Sequence, residues 1–200
     1  MGSAVFDYIL NIVHCPTKQH TENKIMLEFS IDKIIAYMRN LTNTTPAIFL
    51  LVDLQNQRLS VINNSSIARS YLVSTSKFGI GNKENSLMTP RGLHRIKEKY
   101  GHNAPIGRVF RDRIDTKEDW PIGMPGDNLI LTRILRLEGL EPGINKGQGI
   151  DTFDRYIYIH GTNNESAIGT HASHGCVCMK NTDIVELFDM VSEGTLVFID

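Results

Sequence analysis

Residues 155–162, Arg-Tyr-Ile-Tyr-Ile-His-Gly-Thr, and residues 173–179, Ser-His-Gly-Cys-Val-Cys-Met, decide how this 200-residue chain is read. The first is a β-branched and aromatic run of the kind that fills a buried strand, closed by the turn formers Gly161-Thr162-Asn163-Asn164. His160 is therefore expected at a strand end. The second run leaves a polar loop and precedes Asp183 to Val191, whose apolar residues fall at helical spacing behind the cap candidates Asn181, Thr182 and Asp183. Cys176 is thus expected between a loop and a helix, with Gly175 allowing the backbone to turn tightly beside the sulfur.

Outward from this pair of segments, the chain from Ala47 onward reads as short strands: 47–53, 58–62, 68–74, 92–96, 129–137, 156–160 and 195–199, separated by Gly, Asn and Pro clusters. That pattern predicts a mostly β domain over residues 47–200 with a helix after Cys176. Residues 1–46 read differently. Ile25, Met26, Phe29, Ile31, Ile34, Ile35 and Met38 recur at a roughly helical period over Thr21 to Arg39, and Thr42-Asn43-Thr44-Thr45-Pro46 punctuates the boundary. This N-terminal helical segment is expected to pack on the core of the β domain.

The chemistry suggested by the central segments is covalent acyl transfer. A thiol is mostly protonated at neutral pH, so a nucleophilic cysteine needs an imidazole to take its proton and donors to hold the oxyanion. Cys176, His160 and His174 supply the side chains, and backbone amides around Gly175 and Cys176 are expected to converge on the oxyanion. The thiols admit two other readings. Zinc suits thiolates and imidazoles, but Cys176-x-Cys178 is not the usual knuckle spacing and no second pair follows, so no metal is expected. A redox role, with Cys178 as a thiol that resolves oxidised Cys176, fits the chemistry better.

These residues resemble the YkuD-type L,D-transpeptidase catalytic domain. The resemblance rests on His160-Gly161-Thr162, on Ser173-His-Gly-Cys-Val-Cys-Met179, on Thr89-Pro-Arg-Gly92, and on Ile48 to Ile62 as an opening hairpin, all in family order and covering roughly residues 47–199. It implies a β-rich, sandwich-like or barrel-like fold, with Cys176 as nucleophile, His160 as general base and the Gly161 carbonyl orienting His160. His174 and Gly175 would shape the oxyanion site, and Ser173 and Thr162 would support it by hydrogen bonds. The implied substrate is a peptidoglycan stem peptide or soluble muropeptide, cleaved between a dibasic residue and D-alanine through a thioester. The acceptor is then an amine (transpeptidation) or water (L,D-carboxypeptidase action). One position departs from the family: Cys178 stands where an Arg is common. A murein-peptide binding protein that kept the fold without turnover is the alternative class, and the presence of both nucleophile and base argues against it.

Composition sets further bounds. With 41% hydrophobic residues the chain can bury one sizeable core, and a formal charge of −1 gives no reason to expect a nucleic-acid partner. Three cysteines, two of them crowded at the motif, argue against a disulfide framework and for a reducing compartment. Met1 to Val13 lacks a basic start and carries Asp7 and Asn11 within its apolar run, so it makes a poor signal peptide. No stretch reaches the ~20 apolar residues of a membrane span. A cytoplasmic setting is expected, or a periplasmic one if an export signal has been removed, and no cofactor is implied. The substrate cleft is expected from the loops Lys77 to Pro90 and Lys117 to Asn128, with Trp120, Arg133 and Arg155 as candidate substrate-binding side chains, and Glu138 to Gly149 reads as another flexible segment near the strand that bears His160. Gly79 and Gly81 suggest a phosphate loop only until the absence of a following Lys-Ser/Thr is noted.

Overall fold

The computed structural model describes residues 19–121, 124 and 128–200, with the backbone alone for residues 19–30. Met1 to Val13, Cys15, and Pro125-Gly126 of the second cleft loop lie outside the described residues. Helix α1 (Gln19–Thr42) is followed by strands β1 (Ile48–Asp53), β2 (Arg58–Asn63), β3 (Ser66–Leu72), β4 (Gly92–Tyr100), β5 (Arg108–Arg111), β6 (Ile114–Asp119), β7 (Ile130–Gly139) and β8 (Tyr158–Gly161). A 3-10 turn (Glu165–Ala167), β9 (Val177–Met179), helix α2 (Asn181–Met190) and β10 (Leu196–Ile199) complete the chain. The fold is mostly β: ten strands form one mixed sheet, and the described residues contain two α-helices.

The chain divides into two compact units. One is Met1–Ala47 with Asn64–Ser66, and the other is Ile48–Asn63 with Ile67–Asp200. In the first, the buried side chains of α1 are Ile31, Ile34, Ile35 and Met38, which follow the helical period that the sequence displays. The second carries the sheet, in the order β3-β2-β1-β10-β4-β7-β5-β6, with β8 paired to β7 and β9 paired to β8. Most neighbours are antiparallel, while β1 with β10 and β8 with β9 are parallel. Leu196-Val-Phe-Ile199 lies between β1 and β4 with every side chain buried, which is why this strand reads as an unbroken apolar run and not as an alternation.

Strand β7 organises the site. It pairs with β4, β5 and β8, and Ile134, Leu135 and Leu137 are fully buried. Its pairing with β8 shifts register between Leu131 and Ile134, where Thr132 is held at φ 71°. A β-branched residue in left-handed backbone is unfavourable. The turn persists because the fully buried Thr132 hydroxyl donates to Asn181 Oδ1 (2.6 Å) and accepts from the Gly107 N–H (2.9 Å).

Three features differ from the sequence expectation. The hairpin β5–β6 occupies part of a stretch expected as loop. Its outer strand, Ile-Asp-Thr-Lys-Glu-Asp, ends the sheet and is mostly exposed, so it carries no buried-face alternation, and Asp112 and Arg113 close it at φ 48° and 69°. Strand β9 is only three residues long, too short for a periodic signal. Glu138 to Gly149 is pinned instead of loose: fully buried Asn145 accepts from the Glu141 N–H (2.9 Å) and donates to the Leu93 (3.1 Å) and Arg91 (3.2 Å) carbonyls.

Because Leu135 sits at the centre of the main core with no exposure, Leu135→Ala is expected to lower unfolding free energy by about 2–5 kcal/mol in urea titration. A loss under about 1 kcal/mol would show that β7 is not a keystone of this sheet.

Candidate active site

His160 lies in β8, 1% exposed, and its partner in the parallel register with β9 is Cys178. Its Nδ1 meets the Gly161 carbonyl at 2.8 Å. A carbonyl only accepts, so Nδ1 carries the proton and the lone pair is on Nε2. Burial pushes the imidazole down to about 4, against the opposing pull of that carbonyl, so the ring is neutral at physiological pH. Gly161 is required by close approach: a Cβ there would lie 2.5 Å from Asn181 Oδ1 and 2.8 Å from the Leu131 carbonyl.

The sulfur facing Nε2 belongs to Cys178, at 3.8 Å. With Nε2 as acceptor, the Cys178 thiol is the donor. Cys176 is turned elsewhere: its thiol points at the Tyr156 carbonyl (3.7 Å), and the residue packs on the cluster of Phe110, Ile134 and Tyr158. Cys176 is half-buried while Cys178 is 3% exposed, so Cys176 is the more accessible thiol. Burial of the sulfur pushes the Cys176 thiol up to about 11, although the Tyr158 backbone and the Arg155 charge both pull it down. Burial and the neighbouring Cys176 raise the Cys178 thiol as well. The resting site therefore holds two neutral thiols and a neutral imidazole.

The loop before Cys176 is stapled by Ser173, 2% exposed, whose hydroxyl donates to the Cys176 carbonyl (2.6 Å) and accepts the Gly175 N–H (3.2 Å). The Gly175 amide is thus committed to Ser173. Gly175 itself is at φ 122°, a backbone state that favours glycine. His174 is exposed, 3.3 Å from Asn128 through Nδ1 and tilted against Phe78 at a ring separation of 5.8 Å. Thr162 is buried, its hydroxyl accepting the Asn164 N–H (3.1 Å) and its carbonyl accepting from Asn181 Nδ2 (2.7 Å).

The three candidate substrate-binding side chains fall in different places. Arg155 donates to the carbonyls of Gly81 (3.2 Å) and Met88 (2.6 Å), which ties the first cleft loop to the neighbourhood of Cys176. Arg133 is 7% exposed, donating to the Ala104 and Thr132 carbonyls (2.7 Å each). Trp120 follows β6 and donates through Nε1 to the Met124 carbonyl (3.2 Å).

Four residues that the sequence reading did not single out as site residues also shape the site. Glu165 accepts from both the Asn181 N–H and Asn181 Nδ2 (2.7 Å each), fixing the start of α2 in place of a side-chain cap. Arg113, from the hairpin tip, donates to the Tyr158 hydroxyl (2.9 Å) and lies over the exposed Tyr156 ring at 5.1 Å. Tyr156, in the turn before β8 at φ 55°, meets the Cys176 thiol through its carbonyl, and Tyr158 packs against Cys176 with its ring, relations no local sequence signal marks. Among the described residues no three His, Cys, Asp or Glu side chains converge as a metal site would need, and no helix is long and apolar enough to cross a membrane.

The model of the L,D-transpeptidase catalytic domain, YkuD, matches residues 47–199, the span that holds the sheet and both thiols. The chain belongs to the L,D-transpeptidase catalytic-domain family. It is 47% identical over 151 residues to the putative L,D-transpeptidase YqjB of Bacillus subtilis, a match covering 76% of this chain and 70% of that one. A shorter stretch of 47 residues, 23% of this chain and 15% of the relative, is 53% identical to the probable L,D-transpeptidase YbiS of Escherichia coli K12. Among solved structures, an L,D-transpeptidase from Mycobacterium smegmatis aligns with TM-score 0.49 and 18% identity over 77% of this chain and 58% of that one.

His160 and His94 are both buried, and burial lowers each to about 4 from 6.5. The unfolded chain then binds more protons than the folded one between those values, so stability is complete above about pH 6.5 and falls as pH drops towards 4. Each histidine contributes on the order of 3 kcal/mol to that loss. Thermal melts from pH 7 to 4 are expected to show the decline, with His160→Asn removing about half of the slope. An unchanged slope in that variant would mean His160 does not titrate with unfolding.

Proposed function

We propose that this chain catalyses cysteine-dependent acyl transfer on peptidoglycan stem peptides, with Cys176 as nucleophile and His160 as general base. Family membership supports the substrate class. The observation that carries the reading is the imidazole with Nδ1 fixed on Gly161 and its Nε2 lone pair aimed at Cys178 of β9, two residues after Cys176, which is the more open of the two to a peptide.

In this mechanism the Cys176 sulfur rotates from the Tyr156 carbonyl towards Nε2, which takes the thiol proton. The thiolate adds to the carbonyl of the dibasic residue, and the imidazolium protonates the departing D-alanine as the C–N bond breaks. Arg155, held by the Gly81 and Met88 carbonyls, favours the thiolate by charge. Ser173 fixes the turn that presents the sulfur, and exposed His174 with Phe78 borders the approach. The thioester is then cleaved by water or by an amine. In the cytoplasm the available substrates would be soluble muropeptides and the acceptor water, whereas outside the membrane a neighbouring stem supplies an amine.

D-alanine release from a disaccharide tetrapeptide, followed by mass, tests this. Cys176→Ala is expected to fall to background and His160→Ala to lose about 10²–10⁴-fold in kcat/KM. An alanine variant at 176 that turns over as fast as the parent would sink the assignment. Release without added amine marks L,D-carboxypeptidase action, and exchange with an added D-amino acid marks transpeptidation. Arg155→Met should move the limb of the pH–rate profile that reports thiol ionisation to higher pH, because removing the cation disfavours the thiolate. An unmoved limb would take Arg155 out of thiol activation.

A further inference from the structure

Cys178 lies in β9 with its sulfur against His160 Nε2, and Cys176 lies two residues earlier on the turn that leads into the strand, near enough for its charge to act on the Cys178 thiol. Residues two apart have Cα atoms roughly 6.6 Å apart at full strand extension and closer where the backbone turns, within what a disulfide spans. Cys176 precedes the strand by one residue and follows Gly175 at φ 122°, so it stands at the turn and not within the sheet ladder. The more accessible sulfur is the one best placed to meet an oxidant. The buried sulfur already has its proton acceptor in contact, at 3.8 Å.

We propose that this pair is an oxidative modification site: hydrogen peroxide converts Cys176 and Cys178 into an intramolecular disulfide that dithiols reverse. The proposal rests on the reading of Cys176 as the activated thiol, and its chemistry balances in two steps. Cys176 thiolate attacks one peroxide oxygen, and the O–O bond breaks. The other oxygen leaves as hydroxide and takes up a proton as water, leaving the sulfur oxidised by two electrons as a sulfenic acid. Cys178 then gives its proton to His160 Nε2, and its sulfur attacks the sulfenic sulfur. The S–S bond forms, and the S–O bond breaks with hydroxide as leaving group. That hydroxide takes the imidazolium proton, so one peroxide and two thiols yield one disulfide and two waters. Cys178 thereby stops Cys176 from passing on to the sulfinic acid, which dithiols do not recover.

The test uses the full chain with Cys15→Ser, so that the two site thiols are the only cysteines. One equivalent of hydrogen peroxide, followed by intact mass and peptide mapping, is expected to remove two hydrogens from the peptide holding residues 176 and 178, and dithiothreitol is expected to restore both thiols. In Cys178→Ser, and equally in Cys178→Ala, Cys176 should instead be trapped by dimedone and, untrapped, should gain two oxygens irreversibly. Accumulation of the sulfinic acid on the parent without the loss of two hydrogens would overturn the proposal, and that readout needs no variant to fold. Failure of the acyl-transfer reading is scored separately, on reduced protein, by D-alanine release and by formation of a covalent carbapenem adduct on Cys176.

Discussion

The 2.8 Å contact between His160 Nδ1 and the Gly161 carbonyl is the constraint on which the site turns. It settles the tautomer of a ring with almost no solvent exposure, and so decides that the nitrogen facing β9 is a proton acceptor. Everything that holds this geometry is outside the thiol pair. Gly161 leaves room for Asn181, and Asn181 joins the Thr132 hydroxyl, the Thr162 carbonyl and the Glu165 carboxylate. One buried amide thus ties β7, the end of β8 and the first turn of α2 into a single hydrogen-bonded block.

The same block explains why the sheet tolerates an unfavourable backbone at Thr132. A register shift in β7 lets one strand serve β5 on one side and β8 on the other. The cost of that backbone, on the order of 1–3 kcal/mol, is met by hydrogen bonds that fail if either Asn181 or Gly107 moves. The result is a rigid platform under two small, neutral and polarizable thiols.

Much of the fold was legible in the sequence because buried strands have to be apolar. The elements at 48–53, 58–63 and 196–199 follow directly from Phe49, Leu50, Val61 and the Leu196 to Ile199 run, each of which faces the core. Helix α2 was readable from Ile184, Leu187 and Phe188. The β5–β6 hairpin was not, since its edge strand buries little and its charges pair among themselves, as Arg108 does with Asp115 and Asp119. In the site, the sequence placed His160, Gly161, Ser173, Gly175 and Cys176 in one neighbourhood. Which sulfur faces the imidazole was beyond it. That depends on the parallel register between β8 and β9, which sets Cys178 opposite His160 and leaves Cys176 on the turn before the strand.

The hairpin β5–β6 brings one more consequence. Phe110 of β5 packs against Cys176, and at the tip Arg113 reaches the Tyr158 hydroxyl and the Tyr156 ring, while Ile114 beside it is 70% exposed. The hairpin is thus anchored beside Cys176 at its base and open to solvent at its tip. Side-chain changes at the exposed tip around Ile114 can therefore reshape the surface beyond Arg113 while the hydrogen-bonded block around Asn181 stays unaltered.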